Sequence, residues 1–234
     1  MKASVYYHVW APHNDPLVYF LVDEQLKRLE LHSLTNQCDI NVCVVGSAAK
    51  DIAGHINNKD YVNIRKVITK DDGWELHTLK VLQEDCNANP DLNVMYMHTK
   101  GLSHYYNVSN NPVFSENVNT WRHFMEMVCI DRWKECITTL KDFDAVGMNL
   151  MSHPFTHFSG NFWWSKASHI VKLRDPFENY QERPKNGFKS LTGRHNAEEW
   201  VCSHPGKYKS LCQVHGSMYS SGKYSQYKTM LHSL

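Results

Sequence analysis

One short apolar run limits the folds open to this chain more than any other feature. Leu92-Asn93-Val94-Met95-Tyr96-Met97 lies between the turn formers Asn89-Pro90-Asp91 and Lys100-Gly101. Its length and boundaries predict a strand. Because successive side chains point to opposite faces, apolar residues on both faces suit the centre of a sheet covered on both sides. An α/β chain is therefore expected. In open α/β sheets, ligands bind just beyond the carboxyl ends of such strands, and that position here carries His98, Thr99, Lys100, Gly101 and His104. These residues handle anions and protons. The plain alternative is a solvated turn with Lys100 facing water.

The preceding chain supplies further elements. Ser4 to Trp10 is rich in β-branched and aromatic residues and predicts a first strand. Asp15 can cap a helix whose first position is Pro16. Leu17, Phe20, Leu21, Glu24, Leu26 and Leu29 form its stripe, and Lys27, Arg28 and His32 sit near its end, where the dipole favours cations. Strands are predicted over 40–46 and 61–68. Asp72-Gly73-Trp74-Glu75 reads as a capping box, continued through Leu76, Leu79, Val81 and Leu82. The order to this point is β-α-β-β-α-β.

Residues 105–119 are polar and read as a long loop, of the kind that forms lids or binding loops. Trp121, Phe124, Met125, Val128, Trp133, Ile137 and Leu140 mark a long helix or a bent pair. A strand follows at 145–150, then His157 to Trp164, a short helix near 165–173 and a loop over 174–195. Asn196 can cap a helix through Glu198, Glu199, Trp200 and Val201. The tail from 213 to 225 is turn-rich. No repeat or linker appears, so 234 residues are expected to form a single α/β domain with a compact C-terminal elaboration.

Composition narrows the function classes. The net charge of +1 argues against binding nucleic acid through a broad basic face. The seven cysteines, at 38, 43, 86, 129, 136, 202 and 212, include no Cys-x-x-Cys pair, which points away from a disulfide framework or zinc ribbon and toward buried cytosolic thiols. The first 30 residues hold no signal segment, and no run of about 18 apolar residues suggests a transmembrane segment. A cytoplasmic location is the default expectation. There, Asn107-Val108-Ser109 carries no meaning as a glycosylation acceptor.

Three blocks occur in order: Tyr96-Met-His-Thr-Lys-Gly101, Trp121-Arg122 at a helix start, and Val146-Gly147 followed by His157-Phe-Ser-Gly-Asn-Phe-Trp-Trp164. Together they resemble a group of glycosyltransferases of bacteria and large DNA viruses, such as the chlorella-virus-encoded domains that build capsid glycans. They are also similar to the pattern of the rhamnan-synthesis F family. The resemblance spans roughly residues 1 to 205. It implies a GT-A-like, Rossmann-related fold with a mixed central β-sheet flanked by helices, divided into a nucleotide-binding half over 1–104 and an acceptor and sugar half over 105–234. It also implies a nucleotide-diphosphate sugar donor, of UDP or dTDP type, and transfer of a hexose or deoxyhexose to a glycan or glycoconjugate hydroxyl. Many GT-A enzymes hold Mn or Mg on the diphosphate with an Asp-x-Asp motif after the central strand. Here that place reads His98-Thr99-Lys100, and the Asp-x-Asp of Asp142-Phe143-Asp144 precedes a strand, which puts metal dependence in question.

Glycosyl transfer requires positive charge on the leaving diphosphate. Lys100 supplies a point charge, and Gly101 permits a close backbone approach. His215-Gly216 and Ser221-Gly222-Lys223 resemble segments that close over the diphosphate; the plain alternative is a disordered basic end. An inverting reaction also needs a base for the acceptor hydroxyl. Glu198 and Glu199 stand where GT-A enzymes keep an acid, with ordinary helix-start glutamates as the alternative; Asp72 and His98 are the fallback bases.

The sugar requires a pocket with flat faces and polar edges. Phe162, Trp163 and Trp164 offer the faces, while His157, Ser159, Gly160 and Asn161 lie in the same block. A core role competes for at least one of these tryptophans. His8, Trp10 and Ala11 close the first strand where a base and ribose would lie, with Trp10 as core equally open. Arg122 pairs with a phosphate or braces the preceding loop.

Two other classes compete. Fifteen histidines raise a metal hydrolase, yet no tight ligand spacing such as His-Glu-x-x-His occurs. The tryptophans and the displaced Asp-x-Asp fit a non-catalytic carbohydrate-binding module, which would bind glycan without a sugar nucleotide. No Walker-type loop supports a kinase or sulfotransferase. The end at Ser233-Leu234 has no closing motif, which allows the chain to be one module of a larger glycan-assembly protein.

Overall fold

The computed structural model describes residues 2–61, 63–72, 74–102, 112–178 and 195–214. His104, His215, Gly216, Lys223 and Asn107-Val108-Ser109 lie outside them, as do most of the loop expected before 195 and most of the expected tail. β1 (Ala3–Trp10) leads through a turn to α1 (Pro16–Leu31), where the Asp15 carboxylate accepts from the Leu17 N–H at 2.8 Å. The cap and the proline at the helix start are as the sequence predicts. The buried face of α1, however, is Val18, Leu21, Val22, Gln25, Leu26 and Leu29, and Phe20 is 66% exposed instead of belonging to it.

A short α2 (Leu34–Gln37) precedes β2 (Asp39–Val45), α3 (Ala49–Asn57) and β3 (Ile64–Lys70). The predicted order therefore lacks a helix: α3 crosses between two parallel strands, as a parallel pair requires. β3 also begins later than its apolar residues suggest. α4 (Leu76–Ala88) starts after Glu75, whose side chain makes no cap bond, so the capping box is not formed. β4 (Asn93–His98) is the central buried strand expected from its sequence.

Residues 112–119 are helical, which corrects the long-loop reading for that part: α5 (Pro112–Glu126) continues through a π-helical turn (Met127–Asp131) into α6 (Trp133–Thr139). β5 (Ala145–Met148) is followed by a hairpin of β6 (Leu150–Met151) and β7 (His157–Phe158), and then by β8 (Trp163–Lys166) and α7 (Ala167–Ile170). Asn196 lies inside α8 (His195–Trp200) and not at its cap. An unpredicted strand, β9 (Tyr208–Cys212), ends the described chain.

Among the described residues, the main sheet has seven strands in the order β3-β2-β1-β4-β8-β5-β9. β8 runs antiparallel to β4 and β5, while the other pairs are parallel. Helices cover both faces. One core joins α1, α3, α5 and α6 to Tyr7, Met95, Met97 and Trp164. The other joins α4, α7 and α8 to Tyr6, Tyr96 and Trp163. The mixed α/β sheet flanked by helices is thus as expected. All seven cysteines are free thiols, five of them buried, and burial raises their pKa values. Among the described residues, no helix is long and apolar enough to cross a membrane.

Candidate active site

The chain winds outward from β1 through β2 to β3, then returns to lay β4 on the other side of β1. Connections leave these two strands in opposite directions, which opens a crevice beyond their carboxyl ends. His8 and His98 are register partners at that edge.

The His8 ring is 2% exposed and lies 2.9 Å from the Thr78 hydroxyl of α4 through Nδ1. Burial lowers its pKa to about 4, with Glu75 acting in the opposite sense. A ring so enclosed does not line a base or ribose site as the sequence suggests. His98 is partly exposed, and its Nε2 lies 2.9 Å from the Gly160 carbonyl. A carbonyl only accepts, so Nε2 carries the proton and Nδ1 is the basic atom of the neutral ring.

Thr99 is spent on the scaffold: its hydroxyl accepts from the Trp10 N–H at 2.9 Å, and its own N–H donates to the His8 carbonyl. The Lys100 ammonium stands 4.7 Å from the centre of the Trp121 ring, where the ring face attracts a cation. Gly101 has φ of 101°, a conformation that favours glycine. Trp10 stacks on Trp74, with centroids 5.9 Å apart and planes at 21°. Trp10 is half-buried, and Trp74, in the left-handed region at φ 56°, keeps 38% of its surface exposed.

A second linked group is centred on Glu75. The Tyr96 hydroxyl donates to Glu75 Oε2 at 2.6 Å, and the Asn161 amide donates to the same oxygen at 2.7 Å. The Trp163 indole N–H donates to Asn161 Oδ1 at 2.8 Å, which fixes the orientation of the amide. Burial and Glu75 both raise the Tyr96 pKa, keeping its proton in place. Gly160 lets the loop close on the helix below, since a Cβ there would stand 2.3 Å from Met125 Sδ. The sequence shows no sign of this group beyond an aromatic beside an acid at Trp74-Glu75.

Several expected site residues serve elsewhere. Trp163 and Trp164 are both fully buried, the second through a bond to the Cys129 carbonyl at 2.7 Å, so neither presents a face to a ligand. Arg122 is 2% exposed and ion-paired to Glu24 and Glu126, which makes it a brace between α1 and α5. His157 is buried, with Nδ1 donating to the Phe155 carbonyl at 2.8 Å. The Ser159 N–H donates to the Asn149 carbonyl. Asp72 is exposed on the turn before α4. Glu199 is buried and paired to Arg174, while its neighbour Glu198 is half-buried.

The aspartates do not fit a metal on a diphosphate. Asp144 is held by Lys166 at 3.2 Å and by the Lys207 N–H at 2.8 Å; burial would raise its pKa, but these bonds and the Lys166 charge outweigh it and lower the pKa, and Asp142 is exposed. Both precede β5, at the end of the sheet away from His98. Among the described residues, no three His, Cys, Asp or Glu side chains converge to hold a metal ion.

A family model described as "Domain of unknown function (DUF8361)" matches residues 6–230. No curated protein sequence matches the chain. Among solved structures, it is similar to a protein of Desulfovibrio desulfuricans G20 assigned to the nucleotide-diphospho-sugar transferases, at 11% identity and a TM-score of 0.44, over 98% of each chain. HddC from Yersinia pseudotuberculosis, solved with GMP-PN, gives 12% identity and the same TM-score over 99% of this chain and 100% of its own. A 4-diphosphocytidyl-2C-methyl-D-erythritol synthase gives 9% and 0.38 over 98% of each. Likenesses of this degree carry no statement about activity.

Proposed function

The chain belongs to the DUF8361 family, and from its site geometry we propose that it is a GT-A-like glycosyltransferase that uses a nucleotide-diphosphate sugar. The observation that carries this reading is the β1–β4 crevice, which gathers His98, Lys100 and Gly101 at one edge. The donor's diphosphate lies along Lys100 and the backbone at Gly101, and its nucleoside lies beside Trp10. Lys100 stabilises the charge that develops as the bond between the anomeric carbon and the diphosphate oxygen breaks. The acceptor hydroxyl forms the new bond to that carbon and gives its proton to Glu198, the half-buried acid beside the Arg174-bound Glu199. His98 is the alternative base. The sugar is a hexose or deoxyhexose, and the acceptor is a glycan or glycoconjugate, in keeping with the resemblance to the viral and bacterial enzymes.

Calorimetric titration with UDP, GDP, CDP and dTDP, each with and without manganese, tests the reading. Selective binding of one of them is expected. Binding of none, together with binding of oligosaccharides, would make the chain a carbohydrate-binding module.

A further inference from the structure

Glu75 is anchored through one oxygen only. Oε2 accepts from Tyr96 and Asn161, both donors being fully buried, while among the described residues nothing bonds to Oε1 and no cation pairs with the carboxylate. The preceding residue, Trp74, holds a left-handed backbone that a bulky side chain rarely adopts, and it leaves part of its indole exposed beside that oxygen's residue. Such conformations persist where the surroundings over-determine them, and they cluster at ligand sites.

An acceptor-only group beside an aromatic face matches a ring with an apolar C–H face and hydroxyl donors on its edge. We propose that Trp74 and Glu75 form a subsite for a sugar ring, whose face lies on the indole and whose hydroxyls donate to Oε1. A negative charge here repels a diphosphate and leaves phosphate to the Lys100 side of the crevice. The sugar belongs either to the nucleotide donor, in which case the inference rests on the reading above, or to a glycan acceptor, in which case it does not.

Glu75→Gln is a selective test. A glutamine oxygen in place of Oε2 still accepts from Tyr96 and Asn161, so the amide nitrogen replaces Oε1 and presents donors where the carboxylate accepted. Wild type, Glu75→Gln and Trp74→Ala are titrated with nucleoside diphosphates, with the matching nucleotide sugars, and with oligosaccharides lacking a nucleotide; circular dichroism confirms the fold of each variant. Glu75→Gln should keep nucleoside-diphosphate affinity within about twofold and lose about tenfold or more on sugar-bearing ligands, the usual size of a lost charged hydrogen bond. Trp74→Ala, which also unstacks Trp10, should lose more on sugar-bearing ligands than on nucleoside diphosphates. Loss on nucleotide sugars identifies a donor subsite, and loss on oligosaccharides an acceptor subsite. Equal losses with and without the sugar, or no loss on either ligand, would overturn the proposal. If wild type binds no nucleotide, the transferase reading fails and the oligosaccharide titration alone decides the subsite; binding to neither class refutes both.

Discussion

His8 and His98 face each other across β1 and β4 in strict register, yet one ring is sealed against Thr78 and the other reaches the crevice through its bond to the Gly160 carbonyl. Two like side chains in one register row thus differ in their access to the crevice.

The buried member makes stability depend on pH. The folded state keeps His8 neutral to about pH 4, whereas the unfolded chain protonates it near 6.5. Between those values the unfolded state binds more protons, so stability present above pH 6.5 is lost as pH falls toward 4. The contribution is about 3 kcal/mol. His8→Asn should flatten the dependence of Tm on pH in this window; an unchanged slope would show that His8 is not its source.

Lys100 should act in binding and not in folding. Its contact with Trp121 contributes about 0.5–1 kcal/mol at an accessible site. Lys100→Ala is expected to weaken nucleoside-diphosphate binding at least tenfold with Tm nearly unchanged. Calorimetry and a thermal scan on one preparation measure both.

The ionic network beneath the helices should behave in the opposite way. Glu126 is 1% exposed and receives Arg122 at 2.8 Å, Gln25 at 2.8 Å and Arg28 at 3.1 Å. Its pKa falls to about 2 because hydrogen bonding to His123 and the charges of Arg122 and Arg28 overcome burial. That stability is present above the ordinary carboxylate range and is lost as pH falls through about 2. Glu126→Ala leaves the buried Arg122 with Glu24 as its one carboxylate and removes a partner of Arg28 and Gln25, and should cost about 3 kcal/mol in urea unfolding at pH 7.

The neighbouring glutamates of α8 should separate. Glu198→Gln is expected to reduce turnover by a hundredfold or more with little change in Tm, in the range typical of general-base loss. Glu199→Gln breaks the pair with Arg174 and should lower Tm first. Equal, near-native turnover in both variants would remove Glu198 from the chemistry.

The sequence made the sheet centre legible because burial leaves a dense apolar signature, as in Val94 to Met97, and because Asp15-Pro16 is a local cap. It hid α3, whose nine residues include Gly54 and two alanines, and β9, which alternates Tyr208, Lys209 and Ser210 at a sheet edge. The Trp163-Trp164 pair read as a ligand surface because aromatics serve both core and pocket, and only the strand's position decides between them. Glu75 was illegible for another reason: its two donors lie 21 and 86 residues away, so no local pattern reports them.

The reversed direction of β8 ties the loop before it to the core. Since it runs against β4, the loop before it, and not the one after, meets the crevice. A one-residue slip of β8 against β4 would exchange the sides on which the two indoles sit. Trp163 would release Asn161, Trp164 would leave Cys129, and the prop on Glu75 would be lost in the same event. One register thus holds both the group around Glu75 and the two core indoles, so a slip of this strand disturbs them together.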